Sequence, residues 1–408
     1  MTQNALDADL LIAGGGLVGP ALALAAAQAG LSSILIDAEP RERRAAPEFD
    51  GRAYALAAAS VRCLQALGLW APVAAQAQPM TAIEIFDGVP GRRGDRRLRF
   101  DGEGDAPFAV LLEDRFLRGA LLDAVAAEPL IAERAPARAA AMRVEPGRAA
   151  LTLEDGTELS GRLVAACDGK RSALARGAGI ARAGRAYDQI GLVCAIRCER
   201  PHEGVARQIF YPGGPFAILP LPGDRASIVW SERAPVARRI AGLDDRAYAA
   251  EIAARMGGLL GRVALEGRRW AYPLALSVAR DFVAPRLALV GDAAHAMHPI
   301  AGQGFNVALR DVGALAEVLA EAARRGEDVG GALPLERYQR WRRFDSNLFG
   351  IFTDGMNRLF SNDLGPLRAL RDLGLAAVEA APALKRAFVA AAAGDAGEPP
   401  RLLRGLAL

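Results

Sequence analysis

Residues 8–37 read ADLLIAGGGLVGPALALAAAQAGLSSILID, and their order decides the fold. The apolar run Asp9–Ala13 is short enough for a buried strand, and glycines follow it at once. An Ala/Leu-rich helix is predicted from about Val18 to Ala29, with Gly30 as its stop. Ser33–Asp37 (SILID) is a second strand. Strand, helix and strand at this spacing make a βαβ unit, which requires a parallel sheet with a right-handed crossover. Gly14, Gly16 and Gly19 satisfy G-x-G-x-x-G between the strand and the helix. In that pattern the first glycine turns the chain, the second lets backbone approach a pyrophosphate, and the third lets helix and strand pack closely. The helix N-terminus offers free N–H donors and partial positive charge. Asp37 ends the next strand, where a carboxylate bonds adenosine ribose hydroxyls. The pattern does not separate FAD from NAD, and no second complete copy exists: Gly302-Gln303-Gly304 lacks the third glycine.

Outward from this unit, α/β pieces alternate with β-rich ones. A helix carrying Leu56, Val61, Leu64 and Leu67 ends at Gly68. From about Met80 to Val110 short strands are separated by Gly, Pro, Asp and Arg-rich turns. Arg115–Glu128 returns to helix, and ALTLEDGTEL (150–159) is a hairpin signal centred on Asp155-Gly156. Leu163–Cys167 is a buried strand running into Asp168-Gly169. Residues 190–230 are β-rich, a short helix lies near 246–256, and a strand covers 269–274. Leu287–Val290 is a strand, a helix follows from about Asn306 to Arg325, and the chain from Leu335 on reads as helical. The fold class is therefore α/β. A discontinuous Rossmann-like domain comprises 1–78, 110–185 and 275–335, a β-rich substrate domain comprises 79–109 and 186–274, and 336–408 is a C-terminal helical region.

The 408 residues suffice for two or three domains with sizeable cores. Fifty basic residues against 47 acidic leave a net charge of +3, which gives no electrostatic footprint for nucleic acid. All the basic residues except Lys170 and Lys385 are arginine, a bias that coding composition explains. The four cysteines form no C-x-x-C pair and the three histidines no zinc spacing, so no metal is expected. Free thiols fit a reducing cytoplasm. The N-terminus lacks the features of a signal peptide, and the longest apolar stretch, Leu17–Leu31, is too interrupted for a membrane span.

The most informative stretch is LALVGDAAHAMHPIAGQGFNVALRDV (287–312). A strand delivers Gly291-Asp292 to a loop, where the carboxylate can accept from a sugar or ribityl chain; a helix N-cap is its other use. His298-Pro299 stiffens the turn, and Gly302, Gln303 and Gly304 open a helix whose N–H groups stabilise negative charge on a reduced flavin. Loop packing is the alternative for His295 and His298.

With these motifs the chain resembles the FAD-dependent aromatic hydroxylases, single-component flavoprotein monooxygenases with one dinucleotide fold. HPIAGQGFN (298–306) followed by LRD (309–311) resembles their ubiquinone-biosynthesis branch. The resemblance extends from Asp9 to about Gly394 and includes DGRAYALAAAS (50–60) and FAILPLP…SIVW (216–230). It implies FAD as cofactor, NAD(P)H as co-substrate, and transfer of one oxygen atom of O2 to an electron-rich ring through a flavin C4a-hydroperoxide, the other atom leaving as water. It implies Asp292 on the ribityl chain, Pro299 beside the isoalloxazine, Gly302, Gln303, Gly304, Phe305 and Asn306 at its pyrimidine edge, and Arg52 near the phosphates or ribityl chain. His298 and Pro299 are the flavin-adjacent candidates for a catalytic role. CDGKRSALAR (167–176) resembles the D-G motif through Asp168, but Ala175 stands where the family usually has arginine. Lys170 and Arg171 are the available substitutes, and Ser172 is equally a helix cap. Tyr211, Ile218, Leu219 and Pro220 are the candidate substrate-lining residues, with core packing as their alternative.

The implied substrate is a polyprenylated phenol. A small soluble aromatic compound, and a non-catalytic flavoprotein subunit within a biosynthetic complex, stay open. Arginines and apolar residues mix in 338–360, which suits either a helix on the protein's own core or peripheral contact with the inner face of a membrane. Partners other than substrate and O2 would be other ubiquinone-biosynthesis proteins.

Overall fold

The computed structural model describes residues 6–89, 92–102, 107–296, 304–343 and 397–408. Five parallel strands form the centre of an eight-stranded nucleotide sheet, in the spatial order Leu287–Leu289, Glu158–Ala166, Ala8–Ala13, Ser33–Ile36 and Ile131–Arg134. The central strands Ala8–Ala13, Ser33–Ile36 and Leu287–Leu289 are buried almost throughout, which is why they read as continuous apolar runs rather than alternations. The helix Val18–Gln28 buries eight of its eleven residues, mostly alanine and leucine, between the sheet and the helix Gly304–Arg324. The Asp155-Gly156 hairpin forms as the sequence predicts: Arg148–Leu153 pairs antiparallel with Glu158–Ala166, Thr152 opposite Glu158.

A second, eight-stranded sheet runs in the order His295–Ala296, Val263–Ala279, Arg182–Cys198, Arg225–Arg233, Gly214–Leu221, Val205–Tyr211, Ala82–Val89 and Arg92–Asp101. Its 17-residue strands Arg182–Cys198 and Val263–Ala279 run past the ends of the predicted β-rich insert into the nucleotide part. Two helices, Ala234–Ala241 and Asp245–Met256, cover its outer face. The first of these was not legible in the sequence, since APVARRIA is only two turns long.

A third sheet of three short strands lies between the two. Ala53–Ala57 pairs with Ala109–Glu113, which also pairs with Gln78–Met80. Here the structure corrects the predicted helix, for Leu56 lies in a strand and the helix is Ala58–Ala66. Alanine-rich sequence is locally permissive, and pairing with AVLLE decides its state. Asn306 fixes the strand-to-helix corner: its Oδ1 accepts from Ala57 N (3.0 Å) and Ser60 Oγ (2.7 Å), and its Nδ2 donates to Ala55 O (2.8 Å).

Candidate functional site

The chemistry-bearing motifs leave the nucleotide sheet at one edge, its carboxyl end. Gly14 N donates to Ile36 O (2.8 Å), Cys167 N to Ala13 O (2.7 Å) and Val290 N to Ala166 O (3.0 Å). Gly14, Asp37, Asp168 and Gly291 thus emerge side by side, where open α/β sheets bind ligands. The three fingerprint glycines do different work. A Cβ on Gly14 (φ +113°) would lie 2.3 Å from Cys167 O, and one on Gly19 would lie 1.9 Å from Gly14 O. A Cβ on Gly16 would meet nothing within 4 Å. Two glycines therefore let the protein pack on itself, and the third faces open space at a helix N-terminus with no side-chain cap and no acidic residue in its first turn. That cradle of unused N–H donors fits a pyrophosphate.

Asp37 is already engaged, with Oδ2 accepting from Gly15 N (2.6 Å) and Oδ1 from Glu39 N (2.8 Å). Each oxygen keeps lone-pair capacity for a ribose hydroxyl. Beside it lies Arg44, which the sequence reading missed. Its buried guanidinium donates to Gly15 O (3.0 Å) and Glu39 O (3.1 Å) and pairs with Glu133. In sequence RERR looks like a solvated charge run, and nothing local marks one arginine as buried.

Gly291 (φ +63°) turns the chain between two helix starts: its Cβ would touch Ala308 at 3.3 Å and Val18 at 3.4 Å. Asp292 therefore follows a turn packed between those two helices. Its side chain reaches solvent, but the protein around it pushes its carboxyl above the usual range, against the pull of His295, Lys170 and Arg182. Arg182 holds the loop by its backbone, donating to Ala293 O, Asp292 O (3.3 Å) and Ser277 O (3.1 Å). A Cβ on Gly304 also meets only open space. Phe305 is buried against Tyr54, ring centroids 5.4 Å apart, and Asn306 is committed to the corner described above. His298, Pro299, Gly302 and Gln303 lie outside the described residues.

In the D-G segment, Asp168 Oδ2 accepts from Ala173 N (3.0 Å), and burial raises its carboxyl. Ser172 caps the short helix Ala173–Gly177 by accepting from Ala175 N (3.0 Å). Ala175 is buried, whereas Arg176 is exposed.

Arg52 sits at the junction of the small and large sheets. It donates to Asp50 (2.7 Å) and Asp114 (3.3 Å), and its guanidinium lies over Trp270, 5.2 Å from the ring centroid. Burial works against its charge, but those carboxylates outweigh it and raise its pKa. Asp114 also accepts from Tyr54 Oη (2.8 Å) and Arg118 (2.8 Å). Burial alone would raise its carboxyl, and the Arg118 bond and charge pull it below the usual range.

Strand alternation sorts the candidate substrate residues. Tyr211, Phe216, Ile218 and Trp230 share the outer face and form a core with Ile240, Tyr248 and Ile252 of the covering helices. Tyr211 Oη donates to Arg255 O. Tyr211 and Ile218, expected to line the substrate, are thus turned away from the nucleotide side, and alternation puts Pro220 with Ile218. Leu219 faces inward, packed with Leu221, Ala55, Met80 and Leu111. The register puts Val193 opposite Val229, Val229 opposite Ala217, and Val193 opposite Trp270 on this inner face. Trp270 stacks on Tyr272 at its end, 6.0 Å apart and 7° from parallel. These residues were missed because their value depends on strand pairing.

Residues 7–343 match the FAD binding domain family. The chain belongs to that family. It is 43% identical over 405 residues to ubiquinone hydroxylase UbiL of Rhodospirillum rubrum, covering 98% of this chain and 94% of that one. It is 36% identical over 382 residues to the 3-demethoxyubiquinol 3-hydroxylase of Escherichia coli, covering 93% and 96%. The fold is also that of PqsL of Pseudomonas aeruginosa, solved with 2-aminobenzoylacetate (TM-score 0.74, 25% identity, 87% of this chain and 97% of that one). The likeness to p-nitrophenol 4-monooxygenase PnpA of Pseudomonas putida has a TM-score of 0.78 at 18% identity over 93% and 96%. This member of the FAD-binding family is an oxidoreductase of the flavin-dependent monooxygenase class, which sets aside the non-catalytic subunit considered from sequence. Among the described residues no helix is long and apolar enough to cross a membrane.

Proposed function

We propose that this monooxygenase uses NAD(P)H and O2 to hydroxylate the aromatic ring of a polyprenylated phenol on the route to ubiquinone. The observation that carries the chemistry is the emergence of Gly14, Asp37, Asp168 and Gly291 side by side at the carboxyl edge of the nucleotide sheet, with Gly16 facing open space at a helix N-terminus. Likeness along nearly the whole chain to a ubiquinone hydroxylase supports the substrate class. When bound, the flavin supplies the oxygen-activating chemistry. The chain's residues bind and orient it. The N–H groups after Gly16 hold the pyrophosphate, Asp37 takes the adenosine ribose, and Asp292 accepts from the ribityl hydroxyls. The helix start at Gly304, with Gly302 and Gln303 before it, faces the pyrimidine edge and stabilises negative charge there. His298 and Pro299, outside the described residues, are assigned to the flavin's surroundings on the resemblance alone. Asp168 with Lys170 or Arg171 serves the dinucleotide side.

The second, eight-stranded sheet is the substrate domain in this reading. Its inner strip of Val193, Ala217, Val229 and Leu219 offers an apolar wall, with Trp270 and Tyr272 at its end for an aromatic ring. The C-terminal region, most of it beyond the described residues, would rest on the inner face of the membrane that stores the prenylated substrate.

A deletion strain grown aerobically, with its quinones read by mass spectrometry, tests the reading. A prenylated phenol lacking one hydroxyl is the expected product, and its structure names the carbon. Unchanged ubiquinone, together with NAD(P)H oxidation by the purified enzyme on small phenols, would instead favour a soluble aromatic substrate.

A further inference from the structure

The loop that carries Asp292 is tied to a single buried carboxylate. Asp311, in the helix Gly304–Arg324, has no solvent exposure. Its Oδ2 accepts from Gly291 N (2.9 Å) and from His295 Nε2 (2.6 Å), and its Oδ1 accepts from Arg342 Nε (2.7 Å). The first two donors bracket Asp292 in sequence. The third comes from the helix at 332–343, which leads into the C-terminal region. That helix also holds the strand delivering the loop, because buried Tyr338 Oη donates to Leu289 O (2.7 Å). Burial alone would push the Asp311 carboxyl up, but the His295 imidazole and Arg342 guanidinium hold it below the usual range, so it stays ionised.

We propose that Asp311 is a positioning residue for the flavin: it fixes the Gly291–His295 loop to the C-terminal helix and so sets the placement of Asp292. Three charge-assisted hydrogen bonds on one ion cost far more to disturb than three neutral ones, because each partner would be left unpaired in a dry site. The loop's other restraints are Arg182 on its backbone carbonyls, the bond from Ala279 N to Ala294 O (2.7 Å), and the pairing of His295–Ala296 with Val263–Ala279; none of these fixes Gly291 N or the His295 ring. With Asp311 neutral, Arg342 loses its counter-ion, and His295 and Gly291 N keep only a neutral partner. Asp292 then loses its fixed aim. The buried negative charge removed with Asp311 also lies close enough to act on the Asp292 carboxyl.

This inference rests on the reading that Asp292 faces the flavin, and the experiment separates the two. FAD affinity is measured by fluorescence titration of apo-protein, the midpoint potential of the bound flavin by dye equilibration, and apo-protein melting by circular dichroism. Losing one charge-assisted bond's worth of positioning, about 1.5 kcal/mol, predicts roughly tenfold weaker FAD binding for Asp311→Asn. Its potential should shift positive, because one fewer buried negative charge opposes electron uptake. Tyr338→Phe removes a neutral bond from the same helix and keeps the carboxylate, so it gauges how far lowered melting alone weakens FAD binding; its effect on affinity should be much smaller than that of Asp311→Asn, with no shift in potential. If Asp311→Asn does not fold, the His295 pair decides. His295→Gln keeps a donor in the Nε2 position and should bind FAD normally, whereas His295→Leu should bind it weakly. Unchanged affinity and potential in Asp311→Asn, or in His295→Leu, overturns the proposal. So does a loss that merely follows melting as it does in Tyr338→Phe. Normal FAD binding by Asp292→Ala sinks the underlying reading, and the proposal with it.

Discussion

The carboxyl edge of the nucleotide sheet and the inner face of the second, eight-stranded sheet are both candidate binding surfaces, yet they are built differently. At the first, backbone makes the site: Gly16 faces open space at a helix N-terminus, Gly14 lets two strand ends meet, Gly19 lets helix and strand touch, and Gly291 packs the Asp292 loop between two helices. At the second, side chains make it, and which ones do depends on strand register. Ile218 and Leu219 are neighbours in sequence, but one lies in the helix-covered core and the other faces the small sheet. Backbone sites need particular residue types at fixed spacing, so they leave a motif. Side-chain surfaces tolerate many apolar residues and leave none.

The sharpest way to break this comparison is to exchange stability for function across the large sheet. Ile218→Ala should cost about 2–5 kcal/mol in denaturant unfolding with little change in KM, since it opens a cavity under the helices. Leu219→Ala should change KM for the phenol more than it changes stability. A reversed pattern would mean that the two faces are misassigned. Asp292→Ala should leave a folded protein whose FAD binding is weaker by about 100-fold, the loss of about two charge-assisted hydrogen bonds; purification as a yellow, FAD-loaded protein would refute it. The glycines give a finer contrast. Gly19→Ala drives a methyl into Gly14 O and should destabilise the apo-protein by about 1–3 kcal/mol. Gly16→Ala should leave apo-protein melting unchanged and weaken FAD binding.

The smallest effect is on pH. Burial raises the Asp292 carboxyl, so it takes up a proton at higher pH than a free aspartate near 3.9. If the anion accepts from the flavin, FAD affinity is full well above that raised value and falls as pH drops through it. Asp292→Asn should flatten this dependence. Asp311 and Asp114 run the other way. Their lowered pKa values add stability that is present above the ordinary aspartate range and lost only as pH falls below it. Equilibrium unfolding between neutral pH and strong acid checks the sign.

Several features were legible before any coordinates. The βαβ unit, the Asp155-Gly156 hairpin, the strand into Asp168 and the helix after Gly304 stand where the sequence predicts them. Where reading failed, the residues were locally indifferent. AYALA became a strand because it pairs with AVLLE. Arg44 was one arginine in a run of three, and its burial comes from Gly15, Glu39 and Glu133. The side-chain amide of Asn306 bonds the corner at Ala55, Ala57 and Ser60, a use that nothing in the motif signals.

By itself, then, the sequence determined the parallel nucleotide sheet and its glycine cradle, because glycine spacing and strand–helix periodicity are local constraints on the backbone; the family followed from the resemblance of the longer motifs. Only the tertiary structure decided which face of the large sheet looks inward, which arginine is buried, and that Asp311 gathers Gly291, His295 and Arg342 onto one carboxylate. Those are contacts between segments far apart in the chain, and their energy comes from burial and pairing that no single segment encodes.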